Sequence, residues 1–385
     1  MRVLLDGRIV LARMTGAGRY VLELARHLPR LDRDLELVVL LHQSLERTEV
    51  PRLVEVSGAR VQYCQSRVAS VRQWLEVPLA VRALRPDVYH YPFIDLPLVH
   101  CPSVVTVYDL NPLLDPQYFT RYGSFKRWGA RQLMGSTLRR SRVVIAISEA
   151  TRDAVLHQFP EAVGKVSVVS LGVDLDFWVR GEACGPTPKQ PVWENRAYVL
   201  YVGVDRPHKN LARLVRAFVR FRSSEGWPTG QGPYLWLAGV GAGSQQLQAE
   251  LHRAACAADV RLSPALSDSA LVSVYSCAHS VAYVSTSEGF GLPLLEAFAV
   301  SVPVLASDRG SLPEVGGDAV LYVDPTDEAS IAQGLDRLWR EEGLRTMLVK
   351  RGLRRVQMFS WQATAAGTLR GYTDALRQAV GLTTC

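Results

Sequence analysis

The sequence predicts an α/β protein made of two doubly wound, Rossmann-like domains, and three observations carry that prediction. Apolar strand-like runs alternate with helical periods along the chain, the runs are apolar throughout rather than at every second position, and the rhythm breaks once near the middle before starting again. Strands that are apolar on both faces and alternate with helices belong to a parallel sheet covered on both sides. The length of 385 residues agrees, being two to three times a typical domain of ~150 residues.

In the first domain, residues 1–178, Arg2–Leu5 is a short apolar run ending at Asp6-Gly7. A polar loop containing Gly16, Ala17 and Gly18 follows, and an apolar helical period starts at Tyr20 with Val21, Leu24 and Leu28. The same order repeats through LELVVLLH, VPLAVRALRPDVYHY, SVVTVYDL, RVVIAISEATRDAVLHQF and VSVVSLGVD. Residues 179–197 place five Gly/Pro positions among mostly polar and small residues and read as a linker. The second domain, 198–358, repeats strand and helix through YVLYVGV, NLARLVRAFVRF, YLWLAGVG, SQQLQAELHRAA, VAYVSTS, PLLEAFAV, VPVLAS, LYVDP and a helix from Ala329 to about Arg340. Residues 359–385 form a last helix expected to pack back toward the first domain. Open parallel sheets bind ligands at the carboxyl ends of their strands, so the cleft between two facing domains is the expected site.

Composition narrows the function classes. Hydrophobic residues make up 48% and charged residues 21%, enough apolar material for two cores and too much for a disordered chain. The net charge of +7 is held mainly in residues 1–180, where basic side chains outnumber acidic ones, so an anionic partner is expected to meet the first half. Only five of the 44 basic residues are Lys. The six cysteines are scattered without a CxxC pair, which argues against a disulfide framework or a zinc site. No run has the roughly eighteen apolar residues of a membrane span, and the N-terminus lacks the order of a signal peptide, so a cytoplasmic protein is expected.

The strongest local signal is STSEGFGLPLLEAFA, residues 285–299. A strand ends at Ser285, a Glu-Gly-Phe-Gly loop follows, and Pro293 opens a helix carrying Glu296. Glycines ahead of a helix N-terminus let backbone amides approach an anion, and the helix dipole adds to the attraction. Glu288 and Glu296 bracket seven residues, so one carboxylate sits in the loop and the other about one turn into the helix. An ordinary strand-to-helix turn with Glu296 as a first-turn charge would give the same pattern. Lys209, in GVDRPHKNL, precedes a helix opening near Asn210 and is placed to reach phosphate oxygens; the alternative is an exposed first-turn Lys, unfavourable there without an anion. Gly16 and Gly18, with Arg19 beside them, make a weaker close-approach loop in the first domain. The stretch AGVGAGS, 238–244, imitates a dinucleotide fingerprint, but its third glycine falls one position early.

Together these segments resemble the retaining glycosyltransferases of family 4, of GT-B fold, in their mannosyltransferase-like subgroup. The likeness runs through TGAGRYVLELARHL, VVTVYDLNPL, VVIAISEATRDAV, VVSLGVD, YVGVDRPHKNL, SEGFGLPLLEAFA, ASDRGSLPEVGGDAVLYVDP and FSWQATAAGTL. The resemblance implies transfer of a sugar, mannose or a related hexose, from a nucleotide-diphosphate sugar to a glycan or lipid-linked acceptor, with no metal or cofactor. It implies that Lys209 and the amides around Gly289, Phe290, Gly291 and Leu292 bind the diphosphate. Glu288 would contact the transferred sugar and Glu296 the ribose, with Gly16 and Gly18 against the diphosphate and Arg19 on the acceptor side.

Two departures stand out. Where the family commonly has His-Asp this chain has Tyr108-Asp109, and a phenol donates a hydrogen bond but lacks the near-neutral pKa of imidazole. Where many members have an Arg after the glycine at 203, this chain has Val204, leaving Arg206 or His208 as substitutes. Those departures keep open a sugar-nucleotide-binding protein that has lost catalysis, and another GT-B reaction such as 2-epimerisation stays open as well. Residues 121–142 hold seven basic and no acidic side chains, with aromatics from Tyr118 to Trp128. Segment 118–142 therefore reads either as a peripheral contact with an anionic membrane or as a solvated helix covering its own core; no nucleic-acid motif accompanies the charge.

Overall fold

The computed structural model describes residues 1–11, 15–114, 123–180, 196–228, 231–253 and 257–379. The chain divides into two compact units, Met1–Gly172 together with Ser360–Cys385, and Val173–Phe359.

The first unit is a parallel sheet of β1 (Arg2–Asp6), β2 (Glu36–His42), β3 (Arg60–Cys64), β4 (Val88–Tyr91), β5 (Ser103–Val107), β6 (Val143–Ala146) and β7 (Val166–Val168), in the order β3-β2-β1-β4-β5-β6-β7. β1 pairs with β2 and β4, and Val3, Leu4 and Leu5 are fully buried, as a strand covered on both faces requires. The chain moves outward from β1 to β3 and then returns to the other side of β1, so the topological switch lies between β1 and β4. Helix Gly16–Leu31 buries Tyr20, Val21, Leu24, Ala25 and Leu28 as one apolar stripe. Its cap corrects the expected glycine loop: Thr15 Oγ1 accepts from the Gly18 amide at 3.1 Å, so Gly16 and Gly18 lie in the first helical turn. Residues 12–14 lie outside the described residues.

Helix Trp361–Ala379 belongs to the first unit and packs on helix Gly16–Leu31 and on β4, β5 and β6. A buried polar chain fastens it. His90, on β4, bonds Tyr372 OH through Nδ1 and Thr106 Oγ1 through Nε2, both at 2.8 Å, and Tyr20 OH meets Thr106 Oγ1 at 3.0 Å. Burial lowers the His90 pKa to about 3, so the imidazole is held neutral. A second buried cluster lies after β1, where the Arg8 guanidinium pairs with Asp6 at 2.7 Å and Tyr89 OH donates to the same carboxylate at 2.5 Å.

The second unit is a parallel sheet of β8 (Tyr198–Val202), β9 (Tyr234–Ala238), β10 (Val260–Ser263), β11 (Ser280–Tyr283), β12 (Val304–Ser307) and β13 (Val320–Val323), in the order β10-β9-β8-β11-β12-β13. Its switch point falls between β8 and β11. Helices Leu211–Glu225 and Glu328–Arg340 pack against each other.

The unit boundary differs from the one the sequence suggests. It falls at Gly172/Val173 rather than after 178, because Trp178 of the short helix Leu175–Arg180 packs edge-on against Tyr275 of the second unit, with centroids 5.3 Å apart. Residues 181–195 of the expected linker lie outside the described residues. Two strands escaped the sequence reading, β3 and β10, and each lies at one of the two edges of its sheet. Edge strands are covered less completely, so Arg60–Cys64 and Val260–Ser263 interleave polar residues and show no continuous apolar run.

Candidate active site

The carboxyl ends of β8 and β11 flank the switch point of the second unit, and the two loops leaving them carry Lys209 and Glu288. After β8 the backbone turns at Gly203, with Tyr201 OH donating to the Val204 carbonyl at 3.1 Å. Pro207–Lys209 forms a single 3-10 turn, and Asn210 takes a left-handed conformation, φ +61°, before helix Leu211–Glu225 begins. The Asn210 side chain holds that corner, its Nδ2 donating to the carbonyls of Val284 at 3.0 Å and Pro325 at 2.7 Å. Lys209 is thus outside the long helix and not a first-turn residue of it. The Thr286 amide donates to the His208 carbonyl at 2.8 Å, which ties the two loops together.

The second loop ends at Gly291, φ +110°, which caps helix Leu292–Ala299 without a side-chain oxygen on its first amides. A β-carbon at that φ would be strained and would also meet Leu312 at 2.8 Å. Ser311 Oγ donates to the carbonyls of Glu288 at 3.1 Å and Phe290 at 2.7 Å, holding the loop from below. Gly310 lies against Glu288 so closely that a β-carbon there would be 2.8 Å from the Glu288 carbonyl oxygen.

These supports bring the two charged groups together. Lys209 Nζ donates to Glu288 Oε1 at 2.6 Å and to Tyr283 OH at 2.9 Å, and the two charged side chains are only 13% and 9% exposed. An ion pair so far from water adds little net stability, since desolvating both ions offsets their attraction, so a role toward a ligand accounts for it better. Glu296 Oε2 accepts from Tyr275 OH at 2.9 Å. The Tyr283 phenol is pushed well above its ordinary pKa, first by burial and then by the charges of Glu288 and Glu296, so both carboxylates bear on one buried ring. Tyr201 stacks on Tyr283 at 5.5 Å between centroids. Sequence reasoning missed these three tyrosines because each lies in an apolar strand or helix, where an aromatic reads as core. The signal available was a phenol closing the strand directly ahead of the glycine loop.

The other candidates fall as follows. Arg206 is exposed and makes no ion pair among the described residues, and Val204 beside it is also exposed. The glycines of AGVGAGS turn tightly, and the amides of Gly239 and Gly241 both donate to the Ser263 carbonyl, at 3.1 and 2.9 Å, instead of lining a pyrophosphate cradle. In the first unit Tyr108 and Asp109 follow β5. Asp109 Oδ1 accepts from the Asn111 amide at 2.8 Å, starting the next helical turn. Tyr108 OH is buried with no hydrogen-bond partner among the described residues, its ring edge-on to Tyr20 at 5.8 Å. Arg19 stands in the first helical turn beside Gly18.

Of segment 118–142, residues 118–122 lie outside the described residues. Within helix Gly123–Arg140, Arg131 donates to Gln158 at 2.7 Å, Arg139 pairs with Glu161 at 3.6 Å, and Arg140 donates to the carbonyls of Leu96 and Pro97. Much of the positive charge there is spent on the unit's own surface. Among the described residues no His, Cys, Asp or Glu cluster could hold a metal ion, and no helix is long and apolar enough to cross a membrane.

The comparisons with known proteins bear on both units. Residues 14–177 match the family model Glycosyltransferase Family 4, and residues 187–355 match Glycosyl transferases group 1. The chain belongs to the family 4 glycosyltransferases. Lys209, Glu288 and Glu296 of this glycosyltransferase fall in the second matched span, and Tyr108 falls in the first. It is similar along almost its whole length to O-antigen chain mannosyltransferase B of Escherichia coli, at 27% identity over 375 residues, covering 93% of this chain and 96% of the relative. The sucrose-phosphate synthase of Thermosynechococcus elongatus shares the fold with a TM-score of 0.75 at 18% identity, covering 99% of this chain and 100% of that one. HepE of Anabaena, solved in complex with UDP and glucose, shares it with a TM-score of 0.71 at 16% identity, covering 97% and 99%. The family 4 enzyme is thus a mannosyltransferase-like protein of GT-B fold.

Proposed function

We propose that the chain is a retaining glycosyltransferase that moves mannose or a related hexose from a nucleotide-diphosphate sugar to a hydroxyl of a glycan or lipid-linked acceptor. The observation that carries this is the pairing of Lys209 with Glu288 at 2.6 Å, at the switch point of the second sheet and beside a helix whose first amides have no side-chain cap. The O-antigen mannosyltransferase likeness supports the sugar and the polysaccharide acceptor, and the UDP and glucose named for HepE support the donor class.

In this function Lys209, Arg206 and the amides of Phe290, Gly291 and Leu292 take the diphosphate, Glu288 a sugar hydroxyl, and Glu296 the ribose. Tyr108 and Asp109 of the first unit act at the reacting centre, the phenol donating to a sugar or acceptor hydroxyl, and Arg19 serves the acceptor side. The acceptor oxygen forms a bond to the anomeric carbon as the bond from that carbon to the diphosphate breaks. Attack on the face the diphosphate leaves retains configuration, and the departing phosphate oxygen receives the acceptor's proton. The demand on the protein is to stabilise charge growing on the leaving diphosphate, which an ammonium and helix-terminal amides meet without a metal.

Lys209→Ala and Glu288→Ala should each abolish transfer in a donor and acceptor screen that includes GDP-mannose and UDP-glucose, with circular dichroism showing an intact fold. Turnover close to that of the unsubstituted protein in both variants would remove the site assignment.

A further inference from the structure

Lys209 and Glu288 both sit on loops and carry flexible side chains, so something rigid must set where they point. Tyr283 is the last residue of β11, its backbone in register with Ala306 of β12, and its ring lies nearly parallel to that of Tyr201, 15° apart. Its hydroxyl accepts from Lys209 Nζ at 2.9 Å, and the same ammonium donates to Glu288 Oε1 at 2.6 Å. Chemistry fixes the direction of both bonds: an ammonium only donates, so an oxygen lone pair of the phenol and the Glu288 carboxylate each take a hydrogen from Lys209. Lys209 Nζ also lies 5.0 Å from the centroid of the same ring, within cation–π range.

From this geometry we infer that Tyr283 is a positioning residue, a fixed strand-borne hydroxyl that keeps Lys209 aimed once a ligand separates it from Glu288. The inference rests on the donor function proposed above. A diphosphate drawing on Lys209 and a sugar hydroxyl drawing on Glu288 must open the direct 2.6 Å contact between them. The phenol then remains as a partner for Lys209 that moves with neither loop. Without its hydroxyl Lys209 loses its strand-borne acceptor, and the ammonium freed by a ligand is less firmly aimed.

Tyr283→Phe tests this, because it keeps the stacked ring and removes one oxygen. Binding calorimetry with GDP and UDP is run on the unsubstituted protein, Tyr283→Phe, Lys209→Met and the double variant. Affinity for whichever nucleotide binds is expected to fall about tenfold in Tyr283→Phe, the scale of one hydrogen bond to a charged group. It should fall further in Lys209→Met, and no further in the double variant than in Lys209→Met. A merely structural tyrosine would lower the melting temperature but leave affinity unchanged, or give losses that multiply in the double variant; either result overturns the inference while the donor function stands. If the unsubstituted protein binds neither nucleotide, the donor function falls and takes the inference with it.

Discussion

Replacing Gly310 with alanine should displace Glu288 without altering its chemistry. Gly310 has φ +60°, and a β-carbon there would lie 2.8 Å from the Glu288 carbonyl oxygen and 2.9 Å from its nitrogen. Both are backbone atoms, so neither can rotate away as a side chain would. Restoring ordinary van der Waals contact moves the Glu288 peptide by roughly half an ångström, against the grip of Ser311 on its carbonyl. The left-handed conformation costs alanine about 1 kcal/mol, and the overpacking costs about 1–3 kcal/mol more. The melting temperature of the second unit should therefore fall by several degrees. The site should suffer more than the fold, since a misplacement of this order costs on the order of tenfold to hundredfold in rate. Thermal melts and initial rates are compared for Gly310→Ala and Gly310→Asn. Asparagine tolerates the left-handed region better but carries the same β-carbon, so it should recover stability and not activity. Unchanged rates with alanine, or recovery of rate with asparagine, would refute the steric reasoning.

The remaining predictions concern the first unit. Tyr108→Phe removes a buried hydroxyl that has no partner among the described residues, so stability should hold or rise by up to about 1 kcal/mol. Transfer should fall if that hydroxyl meets the sugar or acceptor; a destabilised variant with full activity would show its role to be structural instead. His90 sets an acid limit. Its pKa is 6.5 ordinarily and about 3 when folded, so between those values the unfolded chain binds the proton and the folded chain does not. The stability it supports is present above pH 6.5 and lost as pH falls, by about 2 kcal/mol at pH 5. Urea midpoints measured from pH 7 to pH 5 should drop for the unsubstituted protein and drop less for His90→Gln; parallel slopes would show that His90 titrates in the folded state.

The architecture was legible wherever burial on both faces writes itself into composition. β8 and β9 are continuous aliphatic or aromatic runs, and β1 and β5 are built on buried Val and Leu, because central parallel strands meet helices on each side. The edge strands β3 and β10 were silent for the converse reason. Of the site, Lys209, Glu288 and Glu296 could be named from local grammar, since a glycine loop ahead of a helix and a scarce Lys after a strand are patterns within a dozen residues. Gly16 and Gly18 read in the sequence as a close-approach loop because the apolar period starts only at Tyr20, yet Thr15 caps the first turn that contains them.

Sequence by itself therefore determined the fold class, the family and the two segments that hold the charged groups, because each is a matter of periodicity or of short-range spacing. Tertiary structure alone decided that Lys209 and Glu288, 79 positions apart, meet at 2.6 Å. It alone set the Tyr283 hydroxyl against Lys209, and it alone set Gly310 against the Glu288 backbone. Those contacts join residues from loops that follow different strands of one sheet. Only the order in which the strands pair brings those loops together, and that order is a property of the packed core rather than of any stretch of the chain.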